Sequence, residues 1–544
     1  MGGAGTLAKM TGGEAAVETL LAHGIHTIFG LPGIQNDWLY NALYDAGDKI
    51  RVVHTRHEQG AAYMALGYAQ ASGDISVFNI VPGPGLLNAT GALATAFGLN
   101  APVFCLTGQI PTNKIGKASG VLHEIPHQPE VLRGLTKWVD RANHPSDVPR
   151  KIAEAFYQLR SGRPSPVALE IPMDVLEAKA EVVINEARKA FAPPLDSGAI
   201  EEAAKHLGEA KNPMIYVGSG AQDVSEEVTA LANLLEAPVV GYRTGRGVLD
   251  SRHHLSLTMP PSHEFWKKTD VVLAIGTHMR IPLQQWGTDG ITVIRIDVDS
   301  DAMNKIKMPD LPIVARVEDA LPELISCIEK YNHKRESRKD EMLAIKADWA
   351  AKTAYLEPQM TYLNIIREEL GEDGIFVDEL TQVGFASRIV MDVYKPRTFI
   401  STGYMGTLGY GFPTALGAKV AKPDVPVVSV AGDGGFMFAV QELATAVQHR
   451  IGTVTLVFNN DRYGNVQQMQ KNKYGGKVIA SDLVNPDFVK LAEAFGAQGL
   501  RAESPEQLRE ALKQGFKTDV PTLVEVPIGE TPSVDRFRKM GKVR

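Results

Sequence analysis

Short apolar runs alternate with helix-like stretches along almost the whole chain. Runs rich in Val, Ile and aromatic residues predict buried strands, and stretches with apolar residues three and four apart predict helices. Regular alternation of the two is typical of a parallel sheet covered by helices. The pattern therefore predicts an α/β protein.

Looser, more polar stretches divide this alternation into three blocks, at about residues 7–183, 199–331 and 360–527. The length of 544 residues suits three domains of ~100–200 residues each. We expect each block to form a doubly wound parallel sheet, and the first and third sheets to be related. A charged run at 329–352 predicts a solvated helix leading out of the second block. The predicted strands, in chain order, are HTIFG, IRVVHT, ISVFNIV, APVFCLTG, PVALEIP, NPMIYVGSGA, APVVGY, DVVLAIGTH, ITVIRIDVD, GIFVDEL, RTFIST, VPVVSVAG, GTVTLVFNN and PTLVEVP.

Composition and charge exclude several classes of protein. The net charge is −7 and no basic run stands out, which argues against binding to nucleic acid. No uncharged apolar run reaches ~18 residues, so we expect no membrane span. Cys105 and Cys327 are too few for a disulfide scaffold and lie in apolar or helix-like surroundings, so we expect core residues in a reducing compartment. With no signal-peptide pattern at the N-terminus, a cytoplasmic location is expected.

The third block contains the most informative stretch, VSVAGDGGFMFAVQELATAVQHRIGTVTLVFNND. An apolar strand ends at Gly-Asp-Gly-Gly, and a second ends at Asn-Asn-Asp. Between them, one apolar face (Val440, Leu443, Ala444, Val447) predicts a helix. A strand–helix–strand unit of this length makes the two strands parallel, so both polar clusters should lie at the carboxyl edge of one sheet. Open α/β sheets bind their ligands at that edge.

The two clusters have the chemistry of a metal–diphosphate site. Asp433 offers a carboxylate and Asn460 a side-chain carbonyl, and such hard oxygens suit Mg²⁺ or Ca²⁺. Gly432, Gly434 and Gly435 let backbone N–H groups approach a phosphate closely, and a helix N-terminus follows. A glycine turn and an Asn-rich turn without a ligand are the alternative, favoured for either cluster alone. Two clusters at one sheet edge favour a Mg²⁺-bridged diphosphate.

Gly-Asp-Gly followed one helix later by Asn-Asn resembles the signature of thiamine diphosphate enzymes. The resemblance covers nearly the whole chain and is strongest to the acetolactate synthase and benzoylformate decarboxylase branch. It implies three α/β domains, in the order pyrimidine-binding, middle and diphosphate-binding, which matches the three blocks. It also implies thiamine diphosphate and Mg²⁺ as cofactors.

Carried over residue by residue, the resemblance assigns a metal site and a cofactor site. The metal ligands would be Asp433, Asn460 and the backbone carbonyl of Arg462. Leu408 would force the cofactor into a bent shape, and the backbone of Gly406 would accept a hydrogen bond from its amino group. The full set of expected cofactor contacts is Pro32, Gly33, Glu58, Thr381, Gln382, Gly406, Leu408, Gly432, Asp433, Gly434, Gly435, Asn460, Arg462, Tyr463 and Gly464.

Glu58 follows the strand IRVVHT at the start of a helix, in RHEQGAAYMALGYA. A charge that stabilises the helix start is the alternative reading. The resemblance implies instead that Glu58 is the catalytic carboxylate that hydrogen-bonds the pyrimidine ring and activates the cofactor. Relatives join this residue to the metal site across a subunit interface, which implies a homodimer at least, and we expect a homotetramer.

TGQIPTNKIGKASGVLHEIPHQ resembles the substrate loop of acetolactate synthases and makes Gln109 and His123 further catalytic candidates. His123 stands where that family usually has Gln, and histidine can transfer protons near neutral pH. A satisfied loop histidine is the alternative. Met469 stands where the biosynthetic synthases have Trp, and Leu408 where they usually have Met, so the substrate stays open.

These features predict acetolactate synthase-like decarboxylation and carboligation of a small 2-oxo acid or aldehyde. Simple decarboxylation of the benzoylformate type is the main alternative, weakened because Ile34 and Val81 stand where those enzymes have Ser and His. A 2-hydroxyacyl-CoA lyase or oxalyl-CoA decarboxylase-like activity is another. A degenerate regulatory subunit is disfavoured by the intact Glu58 and metal ligands.

A second cofactor in the middle block is not favoured. The sequence YVGSGA has only Gly-x-Gly after its strand, which is a weak dinucleotide signal. GTHMRIP departs from the Gly-x-Arg-Phe-Asp of flavin-binding synthases. FAD is therefore not favoured as a further cofactor, and ADP or coenzyme A is favoured still less.

Overall fold

Three six-stranded sheets, each parallel throughout, form the framework of the computed structural model, which describes residues 7–544. Helices cover each sheet, and each sheet falls inside one of the predicted blocks. The predicted α/β class with three parallel-sheet domains is confirmed. An additional two-stranded antiparallel ribbon joins the ends of the first unit.

The first unit has strand order β3-β2-β4-β5-β7-β6, with β1 and β8 forming the antiparallel ribbon. Its strands are β1 (Leu7–Thr11), β2 (Thr27–Gly30), β3 (Arg51–His54), β4 (Ser76–Ile80), β5 (Val103–Gln109), β6 (Trp138–Arg141), β7 (Val167–Pro172) and β8 (Lys179–Val183). Its helices are α1 (Gly12–Ala22), α2 (Asp37–Ala46), α3 (Glu58–Ser72), α4 (Pro84–Leu99), α5 (Gln128–Arg133), α6 (Val148–Arg160) and α7 (Met173–Glu177).

The middle unit has strand order β11-β10-β9-β12-β13-β14, the doubly wound order of many nucleotide-binding domains. Its strands are β9 (Pro213–Val217), β10 (Val239–Gly241), β11 (Ser256–Thr258), β12 (Val271–Ile275), β13 (Thr292–Asp297) and β14 (Leu311–Val314). Its helices are α8 (Ser197–Glu209), α9 (Ser225–Leu235), α10 (Met259–Trp266) and α11 (Val317–Ile328), and α12 (Lys339–Thr353) leads out of it.

The third unit has strand order β16-β15-β17-β18-β20-β19. Its strands are β15 (Ile375–Val377), β16 (Phe399–Ile400), β17 (Val427–Gly432), β18 (Val454–Asn459), β19 (Gln498–Arg501) and β20 (Thr522–Pro527). Its helices are α13 (Gln359–Leu370), α14 (Gln382–Val390), α15 (Gly411–Ala421), α16 (Asp433–Phe436), α17 (Glu442–Gln448), α18 (Gly464–Lys473), α19 (Phe488–Phe495) and α20 (Pro505–Gly515).

The first and third sheets share one topology. Numbered from the first parallel strand of each unit, both run 2-1-3-4-6-5. The expectation of two related sheets is therefore confirmed. The two units also share one apolar core, in which α3 packs against α15. Gly67 and Gly417 lie at this crossing, and a Cβ on either would collide with the backbone of the opposite helix, so the two helices are in direct backbone contact.

Two predicted helices differ from the structure. The charged run forms a helix only from Lys339 onward. In the Gly-Asp-Gly stretch, α17 begins at Glu442, and its buried face carries Glu442, Leu443, Thr445 and Ala446 rather than Ala444 and Val447. The face is rotated because the Glu442 carboxylate accepts hydrogen bonds from inside the protein.

The remaining global expectations concern cysteines and membranes. Cys105 and Cys327 are both buried and unpaired, as predicted. None of the helices within residues 7–544 has the length and apolar character needed to cross a bilayer.

Candidate active site

Asp433 lies directly after β17, at the carboxyl edge of the third sheet, as the strand–helix–strand pattern predicts. Strands β17 and β18 are parallel neighbours, with Gly432 opposite Phe458, so the two polar clusters meet at this edge. The backbone N–H of Arg462 donates to Oδ2 of Asp433 at 3.2 Å, which joins them directly. Burial raises the pKa of the Asp433 carboxyl, and the hydrogen bonds from Asn485, Gly434 and Arg462 offset this only in part. The protein alone therefore stabilises the ionised form of Asp433 only weakly, and a nearby cation would stabilise it further.

The side-chain amide of Asn485 contacts three oxygens at this edge of the sheet. Its Nδ2 lies 2.8 Å from Oδ2 of Asp433 and 3.0 Å from both Oδ1 of Asn459 and Oδ1 of Asp461. One amide has two hydrogens, so three acceptors around its nitrogen exceed what it can satisfy. A group of hard oxygens converging on one point fits a small divalent cation. Asn485 has no motif around it that sequence reasoning could have used.

Asn460, the other expected ligand, is half-buried beside this cluster. Its backbone carbonyl accepts from Nε of Arg462 at 2.8 Å, and its side-chain amide faces Gly464. No group of three or more His, Cys, Asp or Glu side chains within residues 7–544 is arranged to hold a metal ion. A cation at Asp433 would therefore be completed by amide, carbonyl, phosphate or water oxygens, as Mg²⁺ commonly is.

The glycines after β17 form a close-fitting cradle. A Cβ on Gly434 would lie 2.5 Å from the ring of Tyr463, and one on Gly435 would lie 2.5 Å from Oε1 of Glu379. Only glycine fits at these positions, because Tyr463 and Glu379 occupy the places where Cβ atoms would lie. Glycine N–H groups between a strand end and a helix start are the kind of donor that phosphate sites use.

Two further segments border the cradle. Thr381 caps α14 by accepting from the N–H of Gly384 at 2.8 Å, and Gln382 donates to Asn465 at 2.5 Å. The Gln382 amide oxygen is buried without a partner in the described chain. Gly406 has φ of 62°, a left-handed conformation that favours glycine, and the half-buried Leu408 follows it. The expected cofactor residues of the third unit therefore converge on one edge of its sheet.

Glu379 was not anticipated from the sequence, yet it links these segments. Its fully buried carboxyl accepts a hydrogen bond from the N–H of Gly409 at 2.8 Å. The same carboxyl packs against Gly411 and Gly435, where a Cβ atom would collide with it. Burial raises its pKa to about 8. A neutral carboxyl therefore ties the loop with Gly406 and Leu408 to the glycine cradle at neutral pH.

Glu379 should make stability depend on pH. Because its folded-state pKa exceeds the ordinary value of 4.5, its contribution is complete below about pH 4.5 and is lost as the pH rises through about 8. Relative to Glu379→Gln, the wild-type free energy of unfolding should fall by roughly 1.4 kcal/mol per pH unit in this window. Thermal unfolding midpoints of both proteins from pH 5 to 8 measure this. The exposed Glu493→Gln is the control, and a constant wild-type-to-Glu379→Gln difference would show that Glu379 is ionised throughout.

Glu58 is the first residue of α3, at the carboxyl edge of the first sheet, and is only 9% exposed. Nδ2 of Asn88, on α4, donates to its Oε2 at 3.0 Å. A Cβ on Gly85 would lie 2.7 Å from Val81 and 3.2 Å from Oε1 of Glu58, so glycine lets the start of α4 pack closely beside the carboxylate. The Glu58 carboxylate is thus held by one side-chain donor, and its Oε1 has no hydrogen-bond partner within residues 7–544.

The third unit of the same chain supports the Glu58 segment. Glu442 is fully buried, and its Oε2 accepts from the N–H of Arg56 at 3.2 Å. A Cβ on Gly60 would collide with the Glu442 carboxyl. Burial raises the pKa of Glu442, and hydrogen bonds from Thr445 and the Arg56 segment oppose this. Asn88 and Glu442 therefore hold Glu58 and its segment in place, and no sequence motif predicted this role for either residue.

Pro32 and Gly33 lie in the turn after β2, next to Val81 at the end of β4. The turn is fixed because the Gly33 N–H donates to Oδ1 of Asn36 at 2.7 Å. A Cβ on Gly33 would lie 2.6 Å from Cγ1 of Val81. These residues thus belong to the same sheet edge as Glu58.

Gln109 ends β5 and is buried. Its Nε2 donates to Glu170 at 3.2 Å and its Oε1 accepts from the N–H of Ile110 at 2.8 Å. Gln128 and Arg141 also donate to Glu170. The substrate-facing role of Gln109 stays a prediction, since its amide would have to give up these hydrogen bonds in order to bind a substrate.

The two halves of the candidate site are separate within one chain. Glu58 and His123 belong to the edge of the first sheet, whereas Asp433, Asn460 and Arg462 belong to the edge of the third. No hydrogen bond within residues 7–544 connects the Glu58 carboxylate to the oxygens around Asp433. The two units touch at Arg56 and Glu442, but the Glu58 carboxylate itself makes no hydrogen bond to the Asp433 edge in the described part of the chain.

Comparison with known families agrees with this geometry. Residues 10–131 match the N-terminal TPP binding domain of thiamine pyrophosphate enzymes, residues 200–324 the central domain, and residues 381–526 the C-terminal TPP binding domain. The chain belongs to the thiamine pyrophosphate (thiamine diphosphate) enzyme family. The resemblance inferred from the Gly-Asp-Gly and Asn-Asn pair is therefore confirmed.

Curated relatives place the chain in the acetolactate synthase-like branch. It is 33% identical to a probable acetolactate synthase large subunit of Methanocaldococcus jannaschii, over 95% of this chain and 92% of that protein. It is 31% identical to the acetolactate synthase large subunit of Corynebacterium glutamicum, over 97% and 88%. It is also 32% identical to a probable 2-ketoarginine decarboxylase of Pseudomonas aeruginosa, over 95% and 94%. The chain is about equally similar to the synthases and to the decarboxylase, so sequence identity does not decide which of the two reactions it catalyses.

Proposed function

We propose that this protein is a thiamine diphosphate- and Mg²⁺-dependent carbon–carbon lyase or synthase acting on 2-oxo acids, with acetolactate synthase-like decarboxylation and carboligation as its reaction. The observation that carries the proposal is the pair of sheet edges: an oxygen cluster beside a glycine cradle at Asp433, and a shielded carboxylate at Glu58. A cofactor with a diphosphate at one end and a basic heterocycle at the other fits both.

The third unit would hold the metal and the diphosphate. Asp433, the side-chain oxygen of Asn460 and the carbonyl of Arg462 would be the protein ligands of Mg²⁺, with Gly432, Gly434 and Gly435 beside the phosphates. The other predicted contacts on this edge are Thr381, Gln382, Gly406, Leu408, Tyr463 and Gly464. The raised pKa of Asp433 supports this, because a carboxylate costly to ionise alone is stabilised by a bound cation.

The first unit would activate the cofactor. Glu58 would exchange a hydrogen-bonded proton with a ring nitrogen, and Asn88 would keep its Oε2 occupied so that Oε1 is left for the ring. Pro32 and Gly33 would contact the same ring from the neighbouring strand end. When bound, thiamine diphosphate supplies the electron sink for loss of CO₂ from a 2-oxo acid.

We infer that the active unit is at least a homodimer and expect a homotetramer. Glu58 of one copy would complete the cofactor site at Asp433 of another. Exposed apolar side chains beside the site support association, because Tyr404 is 63% exposed, Met405 41% and Phe438 50%. All three lie in or next to the segments that carry Leu408 and the glycine cradle.

Simple decarboxylation is the second candidate. One relative is named for decarboxylation of 2-ketoarginine. Met469, which replaces the tryptophan of biosynthetic synthases, is 49% exposed, so it forms no closed apolar wall within one chain. This candidate predicts free aldehyde as the main product, whereas carboligation predicts a 2-hydroxy-3-oxo acid.

A substrate screen tests the proposed function. The purified protein is incubated with thiamine diphosphate, Mg²⁺ and single 2-oxo acids, pyruvate first, while CO₂, aldehyde and ligated product are measured separately. We expect CO₂ release that requires both cofactors, and acetolactate from pyruvate. Aldehyde without ligated product would favour the decarboxylase. No CO₂ from any 2-oxo acid, with the cofactor bound, would overturn the reaction class.

A further inference from the structure

His123 lies at the edge of the first sheet with one ring nitrogen bonded and the other free. Its Nδ1 is 2.8 Å from Oε1 of Gln35. Its Nε2 makes no hydrogen bond to any residue between 7 and 544 and is not enclosed by protein. One nitrogen is therefore fixed by the protein, and the other is available to a bound molecule.

Gln35 determines which nitrogen carries the proton. Its Nε2 donates to the backbone carbonyl of Leu122 at 3.0 Å. A carbonyl oxygen can only accept, so the amide NH₂ of Gln35 must face Leu122 and the amide oxygen must face His123. Nδ1 of His123 must then donate, and the neutral ring is the Nδ1–H tautomer with a free lone pair on Nε2.

Gln35 is itself held rigidly. It is 3% exposed and lies in the turn after β2, next to Asn36. Asn36 accepts from Gly33 and donates to Oδ1 of Asn79 at 2.7 Å, which ties the turn to β4. A buried amide in a fixed turn orients its partner at little entropic cost.

The backbone of His123 is also fixed, close to Glu58. It has φ of 67°, and its carbonyl lies against Gly83 at the start of α4. The Gly83 N–H donates to Gln128 at 2.9 Å, which secures the turn. Gly85, two residues further on, adjoins the Glu58 carboxylate. His123 and Glu58 thus contact the same turn of α4.

We propose that Gln35 is a positioning residue that holds His123 as the Nδ1–H tautomer and presents an unprotonated Nε2 to the substrate beside Glu58. This rests on the proposed function, which puts a ring of the cofactor beside Glu58 and therefore the substrate close to it. The 2-oxo acid group has no hydrogen-bond donor of its own, so Nε2 accepts from the hydroxyl group that the 2-oxo group becomes during the reaction, and takes the proton of that hydroxyl where the reaction releases it. The product of that transfer is an imidazolium whose Nδ1–H still bonds Gln35.

Amide substitutions at His123 separate the two nitrogens. The amide of His123→Asn can replace Nδ1 but has no atom at Nε2, whereas the longer His123→Gln reaches the Nε2 position. Asparagine also tolerates the left-handed backbone. We expect His123→Asn to lower kcat/KM by about 10-fold or more, as for one lost hydrogen bond, and His123→Gln to lose less. His127→Asn is the matched control, since His127 lies in the same loop, is exposed and has a similar φ of 55°.

A double-mutant cycle tests whether Gln35 acts through His123. Gln35→Met keeps the length but removes both polar atoms, and we expect it to lower kcat/KM about 10-fold in wild type. In the His123→Asn background it should cause no further loss. The proposal would be overturned if the two losses of kcat/KM multiplied in the double mutant. It would also be overturned if Gln35→Met showed its full loss and His123→Asn showed none. Thiamine diphosphate titration and thermal unfolding of each variant separate these outcomes from misfolding.

The tautomer can be observed without any substrate. In protein labelled with ¹⁵N-histidine, the His123 signals are assigned by their absence in His123→Gln. We expect protonated Nδ1 and unprotonated Nε2 in wild type, and a mixture of tautomers in Gln35→Met. An Nε2–H tautomer in wild type would overturn the proposal even if the enzyme turns over 2-oxo acids. The expected tautomer with no turnover would overturn the proposed function instead.

Discussion

Glu58→Gln should abolish turnover of any confirmed 2-oxo acid while leaving the cofactor bound. The amide keeps the volume and a hydrogen bond with Asn88 but cannot exchange a proton with the cofactor ring. Positioned acid–base groups contribute about 10²–10⁴-fold, so kcat should fall by at least that factor. CO₂ release at saturating thiamine diphosphate and Mg²⁺ is the measurement.

Two controls isolate the carboxylate of Glu58. Glu18→Gln changes an exposed carboxylate on α1 and should turn over as wild type does. Thiamine diphosphate titrations should show that Glu58→Gln still binds the cofactor at Asp433. Unchanged turnover in Glu58→Gln would show that the residue only stabilises the start of α3.

Asp433→Asn should weaken Mg²⁺-dependent binding of thiamine diphosphate by more than about 100-fold. Residues that merely orient metal ligands cost 10–100-fold when replaced, so loss of the one charged ligand should exceed this. Without cofactor the variant should unfold at the wild-type temperature or above, because burial makes the charge of Asp433 unfavourable. Calorimetric titration and thermal unfolding measure the two effects.

The matched control is Asp461→Asn, at an exposed carboxylate of the same cluster. It should change the affinity only a few-fold, since the proposed ligands do not include its side chain. Equal losses in Asp433→Asn and Asp461→Asn would mean that the edge attracts the cofactor by net charge alone.

Strands in the sheet interiors were predictable, and several at the edges were not. No predicted strand corresponds to β6, β11, β14 or β19, and each of these lies at the edge of its sheet. The edge strands β3 and β16 were predicted from short apolar runs, whereas each of the four missed strands contains polar residues or proline. The four residues of β6, for example, are all half-buried. Periodicity alone cannot distinguish such strands from loops.

The residues of the candidate site were also predictable in part. Asp433 and Asn460 could be predicted because they lie at the ends of strongly apolar strands, whose geometry places them together. Asn485 and Glu442 could not, since Asn485 contacts Asp433 across 52 residues of chain and Glu442 contacts the Glu58 segment across 386. The buried Glu442 also changed which face of α17 points inward, so a polar contact overrode the apolar pattern. Long-range polar contacts have no periodic signature in a single sequence.

The most direct test of the account is the rate of hydrogen–deuterium exchange at C2 of thiamine diphosphate bound to the enzyme, followed by NMR after acid quench. It needs no knowledge of the substrate. Wild type should exchange this proton far faster than the free cofactor, and Glu58→Gln should bind the cofactor yet exchange at close to the free rate. Equal acceleration in both proteins would contradict the account, because Glu58 would then have no part in activating the cofactor.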